Sequence, residues 1–492
     1  MDYSQFLAMK QELAVLVVFL LVFIYDTFMP SSTRKALPVF TTVLMLLVTV
    51  AGCLGCCLGV DADTTAFAGM YETSPVVSAI KNILNIGVVI VLIQSIKWAN
   101  GELMIMRRGE FYELLLVTLF GMYLMVSARH FLVFVIGLEC ASLPLAAMVA
   151  FDKNRSESHE AAVKYMLTAV FSSAVFMMGL SFVYAIAGSL YFQQIYMAAF
   201  GAQSTLMIMA LAFVIAGIGF KLSLVPFHLW TADVYQGAPT SVTSYLSVIS
   251  KGAAAFAFLA ILAQVFGSFY HQAWEWMLYA LIILTITVGN LFAIRQRNMK
   301  RFLAFSSISQ AGYIMLGVIA YNTLGMAAMM FYILVYIFSN LGAFGVIGAI
   351  ENATGRVSMD DYNGLYKTNP RLAFTMMLAM FSLAGIPPFA GFFSKFFIFT
   401  GALQGASTAI YVLVLIALIN TIVSLYYYLL VVKAMFISED QCVIAPFRSS
   451  AGERLGMWIS LFGILFLGLL SPVYDSLINM SSISEFAMYF IR

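Results

Sequence analysis

Six side chains able to carry a proton stand in hydrophobic stretches where a membrane helix should hold none: Glu139, Lys164, Lys221, His228, Lys251 and Lys395. A charge at mid-bilayer costs roughly 2.5–3.5 kcal/mol on insertion scales, so a chain that keeps several is expected to use them, as a proton or ion path. Glu139 lies in FVIGLECASLPLAAM, with no other charge between Arg129 and Asp152. It cannot easily reach either surface, and a buried lysine on a neighbouring helix is the partner that would offset its desolvation. Lys221 and Lys251 occur in FKLS and ISKGAA. A buried amine exchanges its proton more readily than a guanidinium, so a carboxylate that approaches or retreats would switch such a lysine between holding and releasing a proton. His228 follows Lys221 by seven residues and shares its helical face if the kink at Pro226 is modest, where an imidazole would relay protons between lysines. Plainer readings stand beside these: a static ion pair for Glu139, a backbone-bonded histidine for His228, and a stretched side chain reaching water for Lys164, five residues after His159.

Composition sets the class of element that must hold these groups. Of 492 residues, 62% are hydrophobic and 10% charged, which describes an all-α polytopic membrane protein. Stretches near the bilayer-spanning length of roughly 20 residues begin near Glu12, Ala36, Pro75, Phe111, Phe131, Ala161, Ser204, Ser241, Trp274, Phe302, Leu324, Arg371, Ser407 and Leu455, predicting about fourteen helices. Basic residues support that count. The odd-numbered loops hold 17 of the 25 Lys and Arg, while the other side has only Lys10, Arg129 and Arg492, so the odd loops should be cytoplasmic and both termini periplasmic. The first apolar stretch lacks a small-residue cleavage site and is expected to stay as a helix.

Two segments should be broken. Segment seven, AFVIAGIGFKLSLVPFHLW, contains Pro226 with Gly217 and Gly219 before it, and segment twelve carries Gly385, Pro387 and Pro388 in a run too long for one crossing. A break frees backbone groups that only a polar interior can satisfy. Ala216-Gly217-Ile218 recurs as Ala384-Gly385-Ile386, 168 residues on, and KYMLTAVFSS aligns with FYILVYIFSN at an offset of 167, so the chain is expected to contain two inverted repeats of five helices. The organisation expected is 1–109, an N-terminal three-helix segment; 110–270, helices 4–8; 271–435, helices 9–13; and 436–492, a loop and helix 14.

The net charge of +2 gives no reason to expect nucleic acid. Cys53, Cys56 and Cys57 share one apolar stretch, Cys140 and Cys442 are isolated, and no disulfide framework is implied. Nucleotide fingerprints and metal-ligand spacings are absent from the sequence. No cofactor or metal is expected on this chain.

GLECASLPL, KLSLVPFHLWTADVYQGAPTSVTSYLSVISKGAA and KRFLAFSSISQAGYIMLG resemble the antiporter-like membrane subunits of respiratory complex I, the N-type most closely. The resemblance implies one proton channel along a central polar axis, with Glu139 and Lys221 as the glutamate–lysine pair, Lys164 as the modulating lysine, His228 and Lys251 as connecting groups and Lys395 as the lysine of the broken twelfth helix. It implies a subunit of a proton-translocating NADH–quinone oxidoreductase in a bacterial inner membrane, among lipids and sister antiporter-like subunits. NADH, FMN, iron–sulfur clusters and quinone would then be bound by other chains. Protons would enter from the cytoplasm toward Lys221, pass His228 and Lys251, and leave past Lys395. The alternative is a subunit of a multi-subunit sodium/proton antiporter. The M-type has a glutamate where this chain has Lys395, and the L-type a long lateral helix after its last common segment.

Overall fold

A computed structural model describes the chain except for residues 1–2, 31–32, 58–62, 106, 200–204, 270–273, 406, 438–442, 471 and 484–492. Cys442 and Arg492 therefore lie outside the described residues.

Three helices open the bundle: α1 (Lys10–Phe28), α2 (Leu37–Cys57) and α3 (Pro75–Ala99), with a small hairpin, β1 (Thr64–Ala66) and β2 (Tyr71–Thr73), between the last two. Helices α4 (Arg108–Ser127), α5 (Phe131–Val149), α6 (Ser156–Ala187), the short α7 (Phe192–Ala199), α8 (Thr205–Leu222), α9 (Leu229–Gly237), α10 (Thr240–Tyr245) and α11 (Lys251–Gln264) form the next group. The last comprises α12 (Glu275–Ala293), α13 (Met299–Ile319), α14 (Thr323–Thr354), α15 (Leu365–Thr368), α16 (Pro370–Ala384), α17 (Ala390–Leu403), α18 (Thr408–Ile437), α19 (Ala451–Leu469) and α20 (Pro472–Ile483).

Thirteen helical segments among the described residues are long and apolar enough to cross a membrane, and α16 with α17 makes a fourteenth crossing in two halves. Every expected crossing is present. The short elements α7, α15 and α20 were not anticipated, and α20 follows the fourteenth crossing where none was expected. Apolar burial grades across the bundle. Helix α11 is wholly enclosed and α13 is enclosed except at Arg301, whereas α2, α6 and α18 turn Leu47, Phe171 and Ile422 outward.

The repeat is visible in the helix lengths. Helices α6 and α14 each have 32 residues, start 167 positions apart and end on Gly188 and Gly355, both left-handed at φ 63° and 71°. A residue with a Cβ is disfavoured in that conformation, so the same chemical stop closes both. Five crossings per repeat is an odd number, so the second repeat must run inverted relative to the first.

Both broken crossings part at proline. Helix α8 stops at Leu222 and its continuation α9 begins at Leu229, with a cis bond between Val225 and Pro226; α16 stops at Ala384 and α17 begins at Ala390, with a cis bond between Pro387 and Pro388. The freed backbone groups find partners inside the protein. Leu224 N–H donates to Gly219 O, Val225 N–H to Thr285 Oγ1 at 3.0 Å, and Trp230 Nε1 to Phe220 O at 3.1 Å. Close approach of α4 and α5 uses Gly121 and Gly137, since a Cβ at 121 would stand 2.5 Å from Ala141 N. Small residues at such a crossing let membrane helices pack backbone to backbone.

Candidate functional site

Lys221, in the last turn of α8, is 4% exposed, and its Nζ donates to Ser142 Oγ on α5 at 2.6 Å. Ser142 in turn donates to Leu138 O. Glu139, one helical turn before Ser142, lines the same cavity of about 20 Å³, where Ser173 Oγ donates to its Oε1. The glutamate and the lysine therefore share a chamber with room for one water, but among the described residues they are not within ion-pair distance. The neutral partner Ser173 was not foreseen.

His228 departs from expectation. Helix α8 ends six residues before it, so the seven-residue spacing from Lys221 is not helical; His228 is instead the residue that opens α9. Among the described residues, its buried Nδ1 meets no hydrogen-bond partner. Ala232 of the HLWTADVYQGAP motif lies inside α9.

Lys251 opens α11 directly after a π-helical turn, Leu246–Ser250. Such a turn widens the helix by one residue and commonly marks a functional position. Its Nζ donates to Ser307 Oγ on α13 at 2.8 Å and stands 5.6 Å from the centre of the Tyr235 ring. Three residues along the same face of α13, Gln310 accepts from Tyr332 Oη, and donates to Tyr428 Oη at 3.1 Å and to Leu383 O at 3.4 Å. Leu383 O also accepts from Lys395 Nζ at 3.1 Å, as does Ala384 O at 3.0 Å. Lys395, on α17, thus reaches back across the break and caps the carbonyl end of α16, where a cation is favoured by the helix dipole. Gly385, at φ 86°, lets it in, because a Cβ there would sit 3.0 Å from Lys395 Cδ. Gln310, Tyr336, Ser382 and Lys395 surround a second small cavity of about 10 Å³.

Lys164 is not part of this buried line. Its side chain is 42% exposed and bonds Asp233 Oδ2 on α9 and Glu160 Oε1, both at 2.7 Å. It reaches the end of the bundle that carries the basic loops. Asp233, overlooked in the sequence, joins α6 and α13 to α9 by also accepting from Arg301 Nη1 at 2.6 Å. Burial alone would raise its pKa, but the hydrogen bonds from Lys164 and Arg301 hold the carboxyl below its ordinary value.

Lys300 is a second correction. Counted among loop cations, it is buried in the first turn of α13, where it donates to Ala238 O and Glu351 Oε1, each at 3.1 Å. Glu351 also receives Arg155 at 3.0 Å and the hydroxyl of Thr240. Arg155, Thr240 and Glu351 border a cavity of about 440 Å³ at the basic end, lined also by Ser241, Ser244 and Asn352. From it, Ser244 and then Ser247, which accepts from Asn340 at 2.8 Å, lead inward to the π-turn and Lys251. The serine ladder and the Ser306, Ser307, Ser309, Gln310 face of α13 could have been found as polar residues in otherwise apolar spans.

A fourteen-crossing bundle with two broken helices and buried amines strung between them has the form of an antiporter-like membrane subunit. Residues 128–423 match the family described as NADH:quinone oxidoreductase/Mrp antiporter, TM. The chain is 51% identical over 478 residues to the NADH-quinone oxidoreductase subunit N of Phocaeicola vulgatus, covering 97% of this chain and 99% of that one. It is similar to a chain in the structure of respiratory complex I from Thermus thermophilus with bound aureothin, at 31% identity and a TM-score of 0.77, over 94% of this chain and 97% of that one. A chain of the Mrp complex from Dietzia sp. shares the fold at a TM-score of 0.86 with 20% identity, over 100% of this chain and 99% of that one. The chain belongs to this family of membrane subunits, and within it to the N-type.

Proposed function

We propose that this chain is a membrane-arm subunit of NADH–quinone oxidoreductase in which protons cross the bilayer along the axis from Lys221 through Lys251 to Lys395, driven by electron transfer on other chains. One observation carries the mechanism. Lys221, Lys251 and Lys395 are all buried, and each amine is held by neutral oxygens, those of Ser142, Ser307 and the carbonyls of Leu383 and Ala384. Lysines kept for static cohesion would be paired with carboxylates, because an unpaired buried charge is costly. An amine on a neutral acceptor can give up its proton without leaving a carboxylate stranded.

Protons enter from the basic-loop side, the cytoplasm, toward Lys221, and the cavity beside Glu351 with the Ser244–Ser247 ladder gives Lys251 a polar link of its own to that side. Glu139 biases Lys221 by moving on or off Ser173 within their shared chamber, His228 exchanges protons at the break, and Lys164 tunes the cytoplasmic end through Asp233. Release is past Lys395 to the periplasm, where both termini lie in a bacterial inner membrane. The four parts 1–109, 110–270, 271–435 and 436–492 are the working units. The chain acts as part of a translocase without redox chemistry of its own: NADH, FMN, iron–sulfur clusters and quinone belong to other subunits, and sister antiporter-like subunits and lipid cover its outward faces.

The test is proton yield per electron in membrane vesicles holding the assembled complex. Lys251→Met and Lys395→Ala should each lower the yield with assembly retained. Unchanged yield in both would sink the reading, and sodium-dependent transport without NADH oxidation would assign the chain to an antiporter instead.

A further inference from the structure

The N-terminal three-helix segment holds a buried ion pair that the axis does not use. Glu12 Oε1 on α1 accepts from Lys81 Nζ on α3 at 2.7 Å, and both side chains are 1% exposed. Lys81 also donates to Tyr71 Oη at 3.2 Å and lies 5.4 Å and 5.6 Å from the centres of the Tyr71 and Tyr123 rings. Beside the pair, Gln11 Nε2 donates to Asn82 Oδ1 at 3.1 Å and Tyr123 Oη donates to Asn85 Oδ1. Glu12 is near the start of α1, Lys81 near the start of α3 and Tyr123 near the end of α4. The cluster therefore sits a turn or two inside the end opposite the basic loops. The β1–β2 hairpin covers it, tied down by Glu72 to Arg129 and by Phe67 N to Gln5 Oε1 at 2.9 Å.

A pair built only for cohesion would satisfy all its polar atoms. Here, among the described residues, four buried atoms meet no protein partner: Glu12 Oε2, Gln11 Oε1, Asn82 Nδ2 and Asn85 Nδ2. They are two acceptors and two donors, the complement that a bound water requires. The helices that carry the cluster, α3 and α4, also pack on the axis. Tyr245, immediately before the π-turn that leads to Lys251, shares a 2.7 Å hydrogen bond with Thr118 on α4, and α3 meets Ile249 of that turn at Gly87, where a Cβ would stand 3.1 Å from Ile249 Cγ1.

We propose that Glu12, Lys81, Asn82 and Asn85 form a second, water-bearing proton station, through which part of the protons reach the periplasm from the Lys251 region beside the exit past Lys395; this rests on the proton-translocating reading above. The step is a proton transfer alone. Glu12 takes a proton from the bridging water, which is itself re-protonated from the axis side. Neutral Glu12 loosens from Lys81, whose ammonium stays on Tyr71 Oη, and the carboxyl then loses that proton to outer water and re-forms the pair.

The test uses the assembled complex in vesicles, with NADH-driven proton yield per electron and the protonated-carboxyl band in infrared difference spectra as readouts. Glu12→Gln keeps a hydrogen-bond acceptor for Lys81 but cannot titrate, and it should lower this chain's share of the proton yield and remove a carboxyl band. Asn82→Leu leaves the ion pair intact while taking away an unmet donor, and it should cause the same loss of yield, which supports the station even if Glu12→Gln fails to assemble. Wild-type yield in Asn82→Leu, or in an assembled Glu12→Gln complex, overturns the station. Lys251→Met measured alongside separates the two ideas: its lowered yield with both cluster variants normal removes the station only, whereas normal yield in Lys251→Met and Lys395→Ala removes the parent reading.

Discussion

Replacing Ser307 with alanine tests the axis at its narrowest link. The Ser307 hydroxyl accepts from Lys251 Nζ at 2.8 Å, and the site is fully enclosed. A hydrogen bond to a charged group contributes about 1.5–3 kcal/mol, equivalent to about a 10- to 150-fold change in an equilibrium constant at 1.4 kcal/mol per decade. The Tyr235 ring at 5.6 Å survives the substitution and still stabilises a cation by about 0.5–2 kcal/mol. The lower end of the range is therefore expected, and loading a proton onto Lys251 should become about tenfold less favourable. The assay is NADH-driven proton uptake and quinone reduction in vesicles, normalised to assembled complex. Pumping-linked turnover should fall toward tenfold in Ser307→Ala and recover in Ser307→Thr, which restores the hydroxyl. Ser307→Ala pumping at the wild-type rate with equal assembly would refute Lys251 as a carrier in this geometry.

Lys395→Ala should lower proton yield and also destabilise the chain, because the carbonyls of Leu383 and Ala384 lose their shared donor at a cost of about 1–3 kcal/mol; thermal melting of the purified complex reads the second effect separately from pumping. Asp233→Asn should weaken the tie among α6, α9 and α13. Two partly exposed ion pairs contribute about 0.5–2 kcal/mol together after solvent screening. Because the carboxyl is held below its ordinary value, this contribution is complete above the unfolded carboxylate pKa near 3.9 and is lost as pH falls through the folded value. Melting temperatures of wild type and variant should therefore differ at neutral pH and converge in acid, and a constant gap would count against the bridge. Gly121→Val should reduce the amount of assembled complex, since its Cβ would meet backbone at 2.5 Å and neither helix can yield without repacking; native gels report it.

What was legible in the sequence follows from the range of the forces involved. Spans and breaks are written in local runs of apolar residues and prolines, so every crossing and both discontinuous helices were anticipated. The basic count placed Lys300 in a loop because hydropathy has no means of seeing a cation buried by Ala238 O and Glu351. His228 was misplaced because a helical spacing was carried through a segment that is unwound from Ser223 to His228. The partners of the lysines, Ser142, Ser307 and the α16 carbonyls, are 79, 56 and 11 to 12 residues away in sequence. No periodicity reports such pairings. The buried pair of Lys81 is equally out of reach of local pattern, because its carboxylate lies 69 positions earlier.

The two breaks expose similar backbone and close it with different chemistry. At the first, the carbonyl of Phe220 takes the indole N–H of Trp230, at 3.1 Å, a donor that never titrates. At the second, Leu383 and Ala384 take the ammonium of Lys395, a donor that can leave as a proton. The first break is thus closed whatever the protonation of its neighbours, and Lys221 is free to answer to Glu139 through their shared chamber. The second is closed most firmly while Lys395 is charged, since a charged donor makes the stronger hydrogen bonds. Deprotonation there leaves the α16 carbonyls with weaker donors in an apolar interior, which favours movement of α17 against α16. Exchanging the chemistry makes the point testable: Lys395→Gln retains a neutral amide donor for those carbonyls and should rescue the melting temperature lost in Lys395→Ala while leaving proton yield low. If Gln restored both, the charge on Lys395 would be irrelevant to transport and the asymmetry between the breaks would be structural only.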